Sequence, residues 1–201
     1  ASDGCGGDCQ AGCGAGEVCQ SESCVACGAL EQPCCEGGQC DPGLTCLEGA
    51  CKTETGIWYD SVSDLTWKIE PALDRMTLQD SVDYCEGLGG GWRLPTISEF
   101  RGLIRGCEAT ATGGSCGIMD DCLSSSPCGG AVCWDGCAQN QGPDNGCYWP
   151  EEMEGDCDTY WSSSALSNFD YTYWRVYFDY GAIASDAETS PNLARCVRSG
   201  R

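Results

Sequence analysis

Along residues 53–201 the apolar positions fall into helical and strand-like rhythms, whereas residues 1–52 show neither. Ile57-Trp58-Tyr59 and Leu65-Thr66-Trp67-Lys68-Ile69 flank the polar Asp60–Asp64 stretch, which predicts an early hairpin. Thr77-Leu78-Gln79-Asp80 is a capping-box-like start, after which Leu78, Val82, Cys85 and Leu88 recur at helical spacing. Gly89-Gly90-Gly91 stops that helix. Thr96-Ile97-Ser98-Glu99 is a full capping box for a second helix, with Ile97, Phe100, Leu103 and Ile104 on its apolar face and Gly106 at its end. Tyr160-Trp161-Ser162-Ser163 opens a strand. Trp174, Val176 and Phe178 alternate with Tyr173, Arg175 and Tyr177 as a half-buried strand, and Arg195-Cys196-Val197-Arg198 reads as the last.

Two regions break this pattern. Residues 107–158 have little periodicity, and they hold eight cysteines and ten acidic residues but no Lys or Arg. An irregular stretch this long inside a domain is functional or cross-linked, and here the cysteines supply the links. Residues 1–52 hold eleven cysteines and no Trp, Phe or Tyr, so bridges must replace a core. An internal repeat is visible there. Cys13-GAGEV-Cys19-QSES-Cys24 has the spacing of Cys40-DPGLT-Cys46-LEGA-Cys51, 27 residues on. Cys5 and Cys9 precede the first copy, Cys34 and Cys35 the second, and Cys27 lies between. This predicts two tandem cysteine-rich modules, about residues 5–26 and 27–52, ahead of a globular domain at 53–201 that carries all seven tryptophans. Spacing leaves the connectivity open.

The 21 cysteines in 201 residues place folding outside reducing compartments. Their odd number suggests an intermolecular bridge or a free thiol. No histidine is present, which excludes Ser–His–Asp and Cys–His catalysis and any zinc site needing imidazole. The net charge of −21 repels nucleic acid, anionic membranes and sulfated polysaccharides, and it suits calcium, the abundant extracellular hard cation. No stretch approaches the roughly 20 apolar residues of a membrane span. The chain opens on Ala1-Ser2-Asp3 and is read as exported, with its signal peptide removed.

Gly91-Trp92-Arg93-Leu94-Pro95-Thr96 followed by Glu99 resembles the WRLPT..E signature of the bacterial collagen-like adhesin C-terminal domain family. Tyr160–Ser163, Trp174–Phe178 and Arg195–Arg198 match its later blocks in order, so the resemblance covers about residues 56–106 and 159–199. It implies an α+β, C-type-lectin-like domain related in architecture to the formylglycine-generating enzyme: two helices on a twisted, mainly antiparallel sheet. Here that domain would carry a disulfide-rich insertion and follow a disulfide-stapled N-terminal region. It also implies a bridge from the first helix to the last strand, Cys85 to Cys196, with the other eight cysteines closing within the insertion. The family's binding of sulfated polymers rests on basic surfaces, and this acidic chain departs from that pattern.

Candidate sites follow. Asp120, Asp121, Asp144, Glu151, Glu152, Glu154, Asp156 and Asp158 are the candidate calcium ligands, against the alternative of a solvated acidic loop. Trp134, Tyr148 and Trp149 are candidate ligand or contact residues, against a small core for the insertion. Gln141-Gly142-Pro143-Asp144-Asn145 is turn chemistry before it is a sugar loop, and Trp92–Pro95 is structural. The expectation is a non-catalytic extracellular structural and adhesive protein that associates with copies of itself into a surface assembly or filament, with calcium as the only cofactor considered. The alternative is a monomeric glycan-binding adhesin on a cystine-rich stalk. The enzyme relative's copper site needs a pair of free cysteines, which a chain so rich in disulfides is not expected to keep.

Overall fold

The structure, a computed structural model, describes residues 15–20, 23–37, 39–41, 44–47, 49–52 and 55–200. It divides the chain into two units, Ala1–Thr55 and Gly56–Arg201. No helix among the described residues is long and apolar enough to cross a membrane.

The first unit is built from hairpins and cystines. β1 (Glu17–Gln20) pairs antiparallel with β2 (Ser23–Ala26), and β3 (Thr45–Leu47) with β4 (Ala50–Lys52). The repeat is visible in the register, which sets Cys19 opposite Cys24 and Cys46 opposite Cys51. Bridges join Cys27 to Cys35, Cys34 to Cys46 and Cys40 to Cys51. Cys19 and Cys24 are disulfide-bonded as well. Cys5, Cys9 and Cys13, and with them the start of the first predicted module, lie outside the described residues.

The second unit is α+β, with antiparallel sheets, few helices and many disulfides. β5 (Ile57–Asp60) and β6 (Leu65–Lys68) form the early hairpin, whose turn is closed by the Asp60 carboxylate accepting from Val62 N and Ser63 Oγ. α1 (Leu78–Gly87) starts at Thr77, which accepts from Asp80 N. It buries Leu78, Ser81 and Cys85. Leu88, expected on the apolar face, is the C-cap and stands exposed. α2 (Ile97–Leu103) starts on the Thr96–Glu99 capping box and ends before Ile104, sooner than Gly106. β7 (Thr159–Ala165), β8 (Thr172–Tyr177) and β9 (Ala182–Ala187) form one antiparallel sheet. β10 (Val197–Ser199) adds to β6 in the other. The core between helices and sheets is aromatic: Phe178 packs 5.8 Å from Phe100, 5.2 Å from Trp149 and 5.5 Å from Tyr160.

The signature turn has a mechanical explanation. The Arg93 guanidinium donates to both Glu99 oxygens (2.8 and 2.6 Å), and Glu99 also accepts from Thr96 N (2.8 Å). One carboxylate therefore clamps the chain before α2 and caps the helix. Trp92 is buried, with Lys68 and Arg198 each 4.7 Å from its ring.

Disulfides and two buried arginines shape the irregular parts. Cys85 bonds Cys196, tying α1 to the segment entering β10. Within residues 107–158 the bridges are Cys107–Cys137, Cys116–Cys133, Cys122–Cys128 and Cys147–Cys157. Arg101 donates to the carbonyls of Thr110 (2.8 Å), Ile118 (2.5 Å) and Ala111 (2.8 Å), so one side chain of α2 supplies hydrogen bonds that no strand provides there. Burial pushes its guanidinium below the ordinary arginine range.

Candidate binding cleft

The predicted sites separate once placed. Tyr148 and Trp149 do not present a contact surface: they are 3% and 1% exposed and belong to the core. The reason is polar as well as apolar. Tyr148 Oη donates to Ala138 O (2.6 Å) and Trp149 Nε1 to Asp144 Oδ2 (3.1 Å), so both rings bury with their one donor satisfied. Trp134 is different, at 40% exposed.

The eight carboxylates are not gathered into one cage. Asp120 Oδ1 accepts from Ser164 Oγ (3.0 Å), Asp144 holds Trp149, and Asp158 accepts from Thr159 N (2.7 Å) and pairs with Arg75. Glu151, Glu152, Glu154, Asp156 and Asp121 are exposed. Among the described residues no three carboxylates bring their oxygens within 4.8 Å of one another, whereas calcium takes about six to eight oxygens at about 2.3–2.6 Å. The residues present do not fit a built calcium centre. Among the described residues Cys34, Cys40 and Cys51 do converge, but they are committed to disulfides and offer no thiolate.

What the structure does assemble is a cleft of ≈ 420 Å³ where the cystine-rich insertion meets the β7–β8 turn. Its aromatic walls are Trp134 and Phe169, its aliphatic ones Leu166 and Ala184. Ser125, Thr172 and Ser185 complete it, and no charged residue lines it. Trp134 sits on α3 (Ala131–Asp135), a five-residue helix between Gly130 and Gly136 that the sequence pattern does not announce. Its ring stacks on Trp174 of β8 at 6.0 Å and 6°. Two glycines make that seat. A Cβ at Gly129 would lie 2.6 Å from Trp134 Cη2, and one at Gly136 (φ +56°) would lie 2.5 Å from Tyr180 O. The β7–β8 turn is tied to the Cys122–Cys128 loop: Ser167 N and Trp174 Nε1 both donate to Leu123 O (3.0 and 3.1 Å), and Asn168 Nδ2 donates to Ser124 Oγ (2.6 Å).

That turn displays two aromatics the sequence reading passed over, Phe169 (60% exposed) and Tyr171 (73% exposed). The available signal was the Phe169-Asp170-Tyr171 triplet itself, two rings in a polar turn between strands. Tyr171 holds φ +58°, which aims its carbonyl at Glu188 N (2.8 Å). A bulky residue there is strained by about 1–2 kcal/mol. Tyr171→Gly is therefore expected to raise stability by up to about 1 kcal/mol after the entropy of glycine is subtracted, read as a melting temperature a few degrees higher. An unchanged or lower value would show that the exposed ring makes stabilising contacts.

Residues 56–198 match the sequence profile of the Lcl C-terminal domain family. Among solved structures, a complex of a mutant von Willebrand factor A1 domain with botrocetin aligns with 81% of this chain and 100% of that chain, at 10% identity. Its TM-score of 0.30 is too low to bear on the fold. No curated protein matches.

Proposed function

Because the chain belongs, through residues 56–198, to the Lcl C-terminal domain family of collagen-like adhesins, we propose that it works outside the cell as a non-catalytic structural and adhesive module. Its adhesive surface is the Trp134–Phe169 cleft. The observation that carries the proposal is the exposure of two aromatic rings on a scaffold braced by disulfides, glycines and a strained turn. A ring held before a partner arrives, as Trp134 is by stacking on Trp174, loses little entropy on binding, which is how aromatic anchors act as hot spots. The disulfides support an oxidising, extracellular setting. The absence of histidine from the sequence supports a binding role over catalysis. The bridge from α1 to the end of the chain supports reading the unit as C-type-lectin-like.

The test is adhesion of beads carrying the chain to cell surfaces. Trp134→Ala with Phe169→Ala is expected to lower adhesion at least ~10-fold, measured at a temperature where the variant is folded, as for loss of a two-ring hot spot. Adhesion equal to wild type would remove the cleft from the proposal.

Association with copies of the chain is the companion reading, and the cysteine count favours it. The sequence has 21 cysteines, and all eighteen described ones are in disulfides. Parity leaves at least one cysteine without a partner in this sequence, as a free thiol or as the link to a second chain. Calcium enters only between copies, where it would bridge acidic surfaces that otherwise repel at −21 each. The expected result is a dimer or larger species on a non-reducing gel that collapses to monomer with reductant, and particles in light scattering that shrink on chelation. Monomers in every condition would retire self-association and leave the adhesive reading standing.

A further inference from the structure

We infer that the Trp134 cleft is a subsite for a neutral sugar ring, bound without calcium. This rests on the adhesive reading and names the ligand class of the same site. The indole of Trp134 is fixed before binding, because one face is taken by Trp174 at 6.0 Å and 6° while the side chain remains 40% exposed. A sugar ring presents a face of C–H groups, weakly positive and apolar, and the negative face of an aromatic ring is its natural platform. Phe169, exposed in the same cleft, extends that platform.

Hydroxyl groups decide between a sugar and an apolar protein side chain. Ser125 and Ser185 line the cleft, and their hydroxyls have no hydrogen-bond partner among the described residues. Each offers a donor and an acceptor. Thr172 Oγ1 donates to Asp170 O (3.2 Å) and keeps its lone pairs. A sugar's own hydroxyls satisfy all three, whereas a leucine or phenylalanine from a partner would bury them unpaired, at a desolvation cost.

Charge decides which sugar. None of the residues lining the cleft is charged, and the chain carries −21. A sulfated or carboxylated glycan finds no cation there and meets a repulsive field. The volume of ≈ 420 Å³ lies in the range of small-molecule sites, about 300–1,000 Å³. Coordination by calcium is not required, because no carboxylate lines the cleft.

The experiment uses the full, disulfide-intact chain. Neutral hexose and N-acetylhexosamine oligosaccharides, and sulfated oligosaccharides of matched length, are titrated at physiological salt, with calcium and with chelator. The expected result is saturable binding of a neutral set, a change in tryptophan fluorescence, and no effect of chelation. Trp134→Ala weakens it at least ~10-fold, Trp134→Phe retains part, and Ser185→Ala costs a few-fold. A preference for the sulfated set, binding abolished by chelation, or full binding by Trp134→Ala and Ser185→Ala would each overturn the sugar assignment. If no neutral sugar binds while bead adhesion still depends on Trp134, the sugar assignment falls and the adhesive reading stands. If adhesion is indifferent to Trp134 and Phe169, the cleft leaves the adhesive reading and the sugar assignment is decided by the titration alone.

Discussion

Replacing Cys85 and Cys196 together by alanine is expected to lower the stability of the Gly56–Arg201 unit by about 4.7 kcal/mol in the chain-entropy account, in which the cost grows with the logarithm of the loop closed. The two cysteines are 111 residues apart, so their bridge closes most of the unit into one loop. Both are buried, at 0% and 1% exposed, and they sit in a small cluster with Leu78, Trp92 and Trp161. Loss of the bond therefore frees the unfolded chain and loosens α1 from the end of the sheet in the same step. At roughly 2–4 °C per kcal/mol for a domain of this size, the melting temperature should fall by roughly 10–20 °C. A drop under about 2 °C would mean that the sheet and helices hold without the staple, and that the bridge contributes little to this fold.

The short bridges should behave differently. Cys122–Cys128 spans a separation of six residues, and the same relation gives about 2 kcal/mol for it. Its loop contains Ser125 of the cleft and Leu123, whose carbonyl receives both Ser167 N and Trp174 Nε1. The long bridge is thus a stability element, and the short one positions residues of the proposed cleft. The two classes of cysteine, alike in sequence, differ in the stability each supplies by the length of chain it encloses.

How much of this was legible depended on whether the physics was local. The start of α2 was, because Thr96 and Glu99 satisfy each other's backbone donors within four residues. β8 was, because Trp174 and Val176 alternate with residues that face outward. β9 was not: Ala182-Ile183-Ala184-Ser185 has small residues on both faces and no alternation to read. α3 was not, since five residues cannot form a helix alone and this one is held by the Cys116–Cys133 bond. At the site, Trp134 stood out as an aromatic in a polar stretch. Tyr148 and Trp149 looked the same and went inward, because Ala138 and Asp144 were waiting for their donors. Those partners lie ten and five residues away through irregular chain, a pairing that no periodicity reveals. The carboxylates failed to converge for a related reason: three already serve protein donors, and nothing local draws the rest together.

Arg195→Met is the second large expected loss. In the sequence Arg195 is one more residue of a closing strand; in the fold its side chain is wholly buried, without a carboxylate partner among the described residues. Its guanidinium donates to the carbonyls of Lys68 (2.9 Å), Ile69 and Glu154 (2.6 Å) and lies 5.0 and 5.3 Å from the rings of Trp149 and Tyr160. Burial pushes its pKa down, opposed by Tyr160 beneath it, but arginine keeps its proton in proteins. One cation therefore joins the end of the early hairpin to the acidic run at Glu154. Methionine matches the bulk and removes the donors; Ile69 O keeps Glu154 N (3.1 Å), while the Lys68 and Glu154 carbonyls lose the guanidinium, at about 1–3 kcal/mol for each. The net loss should be roughly 2–6 kcal/mol, the desolvation cost of those two carbonyls. It should be flat between about pH 5 and 8, since the group does not titrate there. Lysine should recover only part, because a single ammonium lacks the planar fork that reaches three oxygens. Denaturant unfolding at two pH values measures both claims, and amide exchange near Glu154 should speed up in Arg195→Met. Sugar binding proposed for the Trp134 cleft should persist wherever the variant is folded, because none of the hydrogen-bond and ring partners of Arg195 lines it. A methionine variant as stable as wild type would mean that water or backbone relaxation satisfies those carbonyls, and that the buried cation is dispensable to the fold.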